Sequence, residues 1–253
     1  MKRGSSGATI TVKYDTHRVF KSGDARVAAQ GEWLQSLRNA GAHKVLPYVF
    51  MVSGNRYEME ILREPVFGFM DADAVLRAML EALERDIWSQ GAVITDVDHR
   101  ALARKLLVYT QFTEVSDRAW TRWIDVRGSL DWPNLRRCLT HGDPTWDNVM
   151  FDDNGRLKIV DPLPATSAVP DVRAVDTGKI LQSCLGWEVH RYGDVKMSFT
   201  TPAALRTFVN DDREWLATVY FAVLHLLRTL PYVESAATRV AVGRMIDEAL
   251  LLL

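Results

Sequence analysis

Two carboxylates and a carboxamide occur in the order that phosphoryl transfer requires. Asp143 and Asn148 stand five residues apart in the polar stretch His141-Gly-Asp-Pro-Thr-Trp-Asp-Asn-Val-Met150, and Asp161 follows the apolar pair Ile159-Val160. A carboxylate at Asp143 can accept the proton of an attacking hydroxyl. An amide oxygen at Asn148 and a carboxylate at Asp161 can hold a metal ion against nucleotide phosphates. Both ligands must then reach one ion from adjacent backbone segments. An Asp with an Asn five residues on recurs by chance in capped surface loops. Here His141-Gly142 precedes the pair, and Lys158-Ile-Val-Asp161 follows it on a strand-like stretch. Replacing Asp143 or Asp161 by alanine is expected to abolish turnover and leave the fold intact.

The elements that must position these groups are legible as patterns. Ala8–Tyr14 is β-branched and alternating and reads as a strand, with Arg18–Lys21 as a second. Ser22-Gly23-Asp24 supplies a break and a helix cap, and Val27, Ala28, Leu34 and Leu37 follow at helical spacing up to Asn39–Gly41. Val45–Val52 and Arg56–Leu62 form a hairpin across Ser53-Gly54-Asn55, and Val149–Val160 forms another, turning at Asn154-Gly155 as a two-residue type I′ loop. Helices are expected over Asp71–Ser89, His99–Thr113, Ala174–Leu185, Pro202–Phe208, Asp212–Leu230 and Ser235–Leu253. The fold class is therefore α+β and bilobal. Residues 1–65 form a small β-rich nucleotide-binding lobe, and residues 66–253 form a larger, mainly helical lobe for catalysis and acceptor binding.

Composition narrows the partners. Lys+Arg 31 against Asp+Glu 32 gives a formal charge of −1, so no basic field points to nucleic acid or an anionic membrane. No apolar run has membrane-spanning length, and the Met-Lys-Arg N-terminus lacks the apolar stretch of a secretion signal. Cys138 and Cys184 are too few for a disulfide framework and read as core residues, so a reducing cytoplasm is the expected setting.

His141–Asn148, Val160–Pro162 and Asp176–Leu181 together resemble the aminoglycoside phosphotransferase and choline kinase superfamily, which shares the protein-kinase fold. Its loop opens His-Gly-Asp, and its metal Asp follows Val or Ile. The stretch Val175–Ser183 also resembles the Tyr-Asp-Leu-Ala-Lys-Leu segment of a branch found near surface-polysaccharide genes. The resemblance implies Asp143 as catalytic base, Asn148 and Asp161 as Mg²⁺ ligands, and ATP or GTP as donor. It further implies a small hydroxyl-bearing acceptor of aminoglycoside, sugar or amino-alcohol type. Asp161-Pro-Leu in place of Asp-Phe-Gly argues against a protein kinase.

A kinase also needs a cation at the phosphates and a glutamate to hold it. Lys21 ends a strand just before a helix, and Glu32 is the glutamate of that helix, so the pair resembles the strand lysine and helix glutamate of the fold. Lys13 competes for the first role, and a solvated surface charge is the plain alternative for each. Gly4-Ser-Ser-Gly7 can serve as a phosphate-covering loop or as a flexible tail. So few residues precede it that the first strand of the fold is missing or nearly so, and the N-terminal lobe is shortened. Glu60 to Leu62 look like the interlobe hinge whose backbone meets the adenine edge; an ordinary edge strand is the alternative.

Acceptor specificity is the least legible property. Asp147, Glu188, Asp194, Asp211, Asp212 and Glu214 could line a site for a polycation, though acids at helix starts more often complement the helix dipole. Trp146, inside the catalytic loop, is the tryptophan best placed to stack on an acceptor. His141 is expected to orient the loop, and Asp176 to cap a helix or brace the loop. A catalytically weak or inactive nucleotide-binding protein remains the alternative to a small-molecule kinase.

Overall fold

A computed structural model describes residues 2–3, 8–63, 71–93, 98–166, 169–192 and 201–253. The first region is an antiparallel sheet with one helix. A two-residue β1 (Lys2–Arg3) pairs with β2 (Thr9–Lys13), Lys2 opposite Ile10. β3 (Arg18–Ser22) leads through the cap Asp24, whose carboxylate accepts from Arg26 N–H, into α1 (Ala25–Asn39). β4 (Val49–Ser53) and β5 (Arg56–Glu60) complete the order β1-β2-β3-β5-β4. Alternation along β3 and β5 turns Val19, Lys21, Tyr57 and Met59 inward, and α1 buries Val27, Gly31, Leu34 and Leu37. Gly31 is the close approach. A Cβ there would lie 2.9 Å from Tyr57 Cβ, so the helix can rest on this ring only without a side chain.

The expected strand from Val45 begins four residues late. Ala42–Lys44 form a tight helical turn, and Pro47 offers no N–H to a ladder. Side chains take the carbonyls instead. Lys158 Nζ donates to Lys44 O at 2.9 Å and Leu46 O at 3.2 Å, while Arg38 Nη1 donates to Leu46 O and Pro47 O. Desolvation holds the Lys158 ammonium below its ordinary pKa.

The helices follow as α2 (Ala72–Asp86), α3 (His99–Leu107) and α4 (Asp117–Ser129). The second hairpin is β6 (Val149–Phe151) and β7 (Leu157–Ile159). It does not turn through a two-residue type I′ loop. Asp152 N–H donates to Arg156 O, enclosing three residues, and of these Gly155 alone has positive φ, at 73°. The Asp152 carboxylate accepts from both Asn154 N–H and Arg156 N–H, which holds Asn154 out of the left-handed region that a type I′ turn demands. Then come α5 (Arg173–Cys184), α6 (Trp187–Tyr192), α7 (Pro202–Phe208), α8 (Asp212–Thr229) and α9 (Ala236–Leu251).

The chain gathers into two compact units. One holds Met1–Val66, Ala78–Gln90 and His141–Pro164; the other holds Phe67–Arg77, Gly91–Thr140 and Ala165–Leu253. The segment carrying Asp143, Asn148 and Asp161 gathers with the sheet-bearing stretch. The reason is backbone pairing: Ile159 N–H donates to Val45 O at 2.8 Å, and Arg63 and Phe151 exchange both their N–H···O bonds. In the second unit α5 packs along α8, where Gly178 meets Phe221 and the Thr177 and Thr218 hydroxyls lie 2.7 Å apart. Burial pushes the Cys138 and Cys184 thiols up, as befits core residues. Among the described residues no helix is long and apolar enough to cross a membrane.

Candidate active site

The loop His141–Asn148 is organised by its own polar groups. Gly142 has φ 81°, and a Cβ there would collide with the Leu163 carbonyl oxygen. That close approach lets Leu163 N–H donate to His141 O at 2.9 Å, which ties the loop to the chain beyond Asp161. Asp143 O accepts from Thr145 N–H at 2.8 Å, and Thr145 O accepts from Asn148 N–H at 3.0 Å. The Asn148 amide nitrogen donates to Asp143 O at 2.8 Å and to Asp143 Oδ2 at 3.2 Å. With its nitrogen so engaged, the amide can offer its oxygen elsewhere. Asn148 O in turn accepts from Val160 N–H at 2.9 Å, so the backbone places Asn148 beside the residue preceding Asp161.

Asp161 is held from the sheet. Lys21 Nζ lies 2.7 Å from Asp161 Oδ2, and Tyr57 Oη donates to Asp161 Oδ1 at 2.9 Å. Lys21 and Tyr57 are directly opposite in the β3–β5 register, and both are buried. Burial first, and then the charge of Asp161, push the Tyr57 phenol well above its ordinary range, so it stays protonated and donates. Asp161 itself has φ 57°, in the left-handed region rare outside glycine, Asn and Asp.

The other expected nucleotide contacts fare differently. Glu32 does not meet Lys21. Val27, Gln30, Gly31, Leu34 and Leu37 form the buried face of α1, which leaves Glu32 exposed, and Lys21 pairs with Asp161 instead. Lys13, the competing cation, is exposed and lies over the Phe20 ring at 4.7 Å. Glu60 Oε1 accepts from Tyr48 N–H, and the Glu60 and Ile61 amides donate to Tyr48 O and His17 O. Leu62, the last residue of that expected hinge, is buried. Gly4 and Gly7 lie outside the described residues.

His141 is fully buried, and its Nδ1 accepts from Asp143 N–H at 3.4 Å. Burial pushes its imidazole down to about 4, against the opposing charges of Asp143 and Asp161 and a backbone hydrogen bond at Ile159. The ring is neutral at pH 7, which suits an orienting role and not a proton-moving one. An unfolded histidine titrates near 6.5, so between pH 6.5 and 4 the unfolded chain binds the extra proton. The stability this ring contributes is complete above pH 6.5 and is lost as pH falls toward 4, a span of roughly 3 kcal/mol. His141→Gln should flatten that acid limb in urea unfolding measured from pH 4 to 7.5. A limb as steep as wild type would rule out the neutral buried ring.

No protein-family model matches the chain, and no curated protein matches it. Solved structures do. A choline kinase from Streptococcus pneumoniae superposes with a TM-score of 0.64 at 9% identity, covering 97% of this chain and 90% of that one. A choline/ethanolamine kinase family protein from Mesorhizobium loti gives 0.57 at 14%, covering 93% and 82%. The GDP complex of aminoglycoside 2'-phosphotransferase-IIIa gives 0.52 at 15%, covering 97% and 89%. The chain shares the fold of these kinases and this phosphotransferase.

Within this kinase-like fold, oxygen donors suit a hard divalent cation such as Mg²⁺. The Asn148 amide is turned by its nitrogen's bonds so that its oxygen is the available end, and the Asp161 side chain is 30% exposed. Those residues fit. Among the described residues there is no group of three or more His, Cys, Asp or Glu side chains that could hold a metal ion.

Sequence reasoning missed two contributors. Tyr57 reads as an ordinary strand aromatic; its signal is the register that sets it opposite Lys21. Asp171, fully buried in the second unit, accepts from Thr140 Oγ1 at 2.9 Å and Val93 N–H at 3.1 Å, fixing the residue just before His141. Asp176 is also fully buried, and after burial itself its charge is the next cause that raises the Cys138 thiol. Most acids considered for the acceptor have structural partners. Asp211 caps α8, Glu214 pairs with Arg173, Asp212 pairs with Arg206, and Glu188 accepts from Ser183 Oγ. Asp147 accepts from Thr145 Oγ1, Asp194 lies outside the described residues, and Trp146 is buried at 3%.

Proposed function

We propose that the protein is an ATP-dependent phosphotransferase acting on a hydroxyl of a small aminoglycoside, sugar or amino-alcohol, with GTP as the other candidate donor. The observation that supports this most is the assembly, within one compact unit, of Asp143 bonded to Asn148 and of Asp161 bonded to Lys21. Asp143 accepts the acceptor's proton as the new O–P bond forms, and the bond from the γ-phosphorus to its bridging oxygen breaks to release the nucleoside diphosphate. Asn148 and Asp161 would hold Mg²⁺, which when bound would supply charge neutralisation for the phosphoryl group. Lys21 steadies Asp161 and faces the phosphates, and the Leu62 amide meets the base.

The weak or inactive alternative draws on one feature: Lys21 is paired with Asp161 and not with the exposed Glu32. A coupled assay of nucleoside-diphosphate release decides between them, run with aminoglycosides, choline-like amines and sugars. We expect acceptor-stimulated release by at least one class, lost in Asp143→Asn. Mg²⁺-dependent nucleotide binding with no stimulation across the panel would favour the alternative, and absence of nucleotide binding would sink both.

A further inference from the structure

The carboxylate of Asp161 is gripped at both oxygens by two side chains of neighbouring strands. Lys21 takes Oδ2 and Tyr57 takes Oδ1, from directly opposed positions of β3 and β5. Each carboxylate oxygen has two lone-pair sites, so the grip leaves one on each oxygen for another partner. What it removes is rotation of the carboxylate. The tyrosine is itself fixed, because its ring is fully buried and Gly31 of α1 lies directly against its Cβ and Cδ1. In this chain no ion pair runs from α1 to Lys21 through Glu32; the helix reaches Asp161 through the Tyr57 ring.

Resting on the kinase reading above, we infer that Tyr57 is a positioning residue which orients Asp161 for its divalent cation and makes the placement of α1 felt at the phosphate site. Hydrogen-bond partners of metal ligands commonly change affinity 10–100-fold when removed. A tyrosine that only fills the core would give a different signature, since its hydroxyl would affect folding stability and not cation affinity.

The test is a Mg²⁺ titration of nucleotide binding, followed by fluorescence of a labelled non-hydrolysable nucleotide, on wild type, Tyr57→Phe, Gly31→Ala and Asp161→Asn. Tyr57→Phe keeps the ring and should raise the half-saturating Mg²⁺ concentration by about 10-fold or more. Gly31→Ala, which must push the ring, should shift it in the same direction. Asp161→Asn should lose the Mg²⁺ dependence. If it does and Tyr57→Phe titrates like wild type, with at most a lowered Tm, the inference is overturned and the kinase reading stands. If Asp161→Asn retains wild-type Mg²⁺ dependence, the kinase reading itself fails.

Discussion

Asp161→Asn is expected to lower turnover on the order of 10³-fold or more, because a metal ligand's share of transition-state charge stabilisation is several kcal/mol. The fold should hold. Asn is at ease in the left-handed region that Asp161 occupies, and its amide oxygen can still accept from Tyr57. Alanine is a different experiment. Lys21 is 4% exposed, and Asp161→Ala would leave its ammonium without this carboxylate, at a cost of about 3–5 kcal/mol. It would also take away the acceptor of a buried phenol. The sequence-level expectation that Asp161→Ala leaves the fold intact therefore changes once the burial of Lys21 is known. Paired urea-unfolding and turnover measurements on both variants check this. Near-wild-type turnover in Asp161→Asn would remove the proposed metal role, and unaltered stability in Asp161→Ala would show that Lys21 is not buried as described.

Asp143→Asn should cost about 10²–10⁴-fold in kcat, the range of a positioned general base, with nucleotide affinity nearly unchanged. The asymmetry follows from geometry. Asp143 anchors the loop largely through its backbone carbonyl, which accepts from Thr145 N–H and Asn148 Nδ2 and survives the substitution. Its side chain receives a longer bond, at 3.2 Å, from the same amide. Single-turnover rates and equilibrium nucleotide binding separate the two effects. A variant that turns over normally would exclude Asp143 as base. A variant that loses nucleotide in proportion to its rate would recast Asp143 as a binding residue.

What the chain discloses before folding depends on how local each determinant is. Pro202 at the first turn marks the start of α7, and Asp24 before Ala25 marks the start of α1, because caps act on immediate neighbours. The triad Asp143, Asn148 and Asp161 was legible because the loop and hairpin are nearly contiguous. The strand-to-helix junction singles out Lys21 but not its partner Asp161, since the face of α1 set by Gly31 against Tyr57 leaves Glu32 exposed. Tyr57 lay beyond reach for the same reason: its role exists only in the β3–β5 register. The Asn154-Gly155 turn misled because Asp152, two residues upstream, captures the amides that decide the loop type. Acceptor selectivity left no local trace at all.

The sheet-bearing unit is stitched from three stretches of chain, with Lys21 and Tyr57 in one and Asp161 in another. Cutting the coding sequence after residue 65 would give two polypeptides, each lacking half of the Asp161 grip. Neither fragment should bind nucleotide on its own. Fused to partners that associate, the halves would recover that property only on reunion, which makes this junction a natural place to engineer a split reporter.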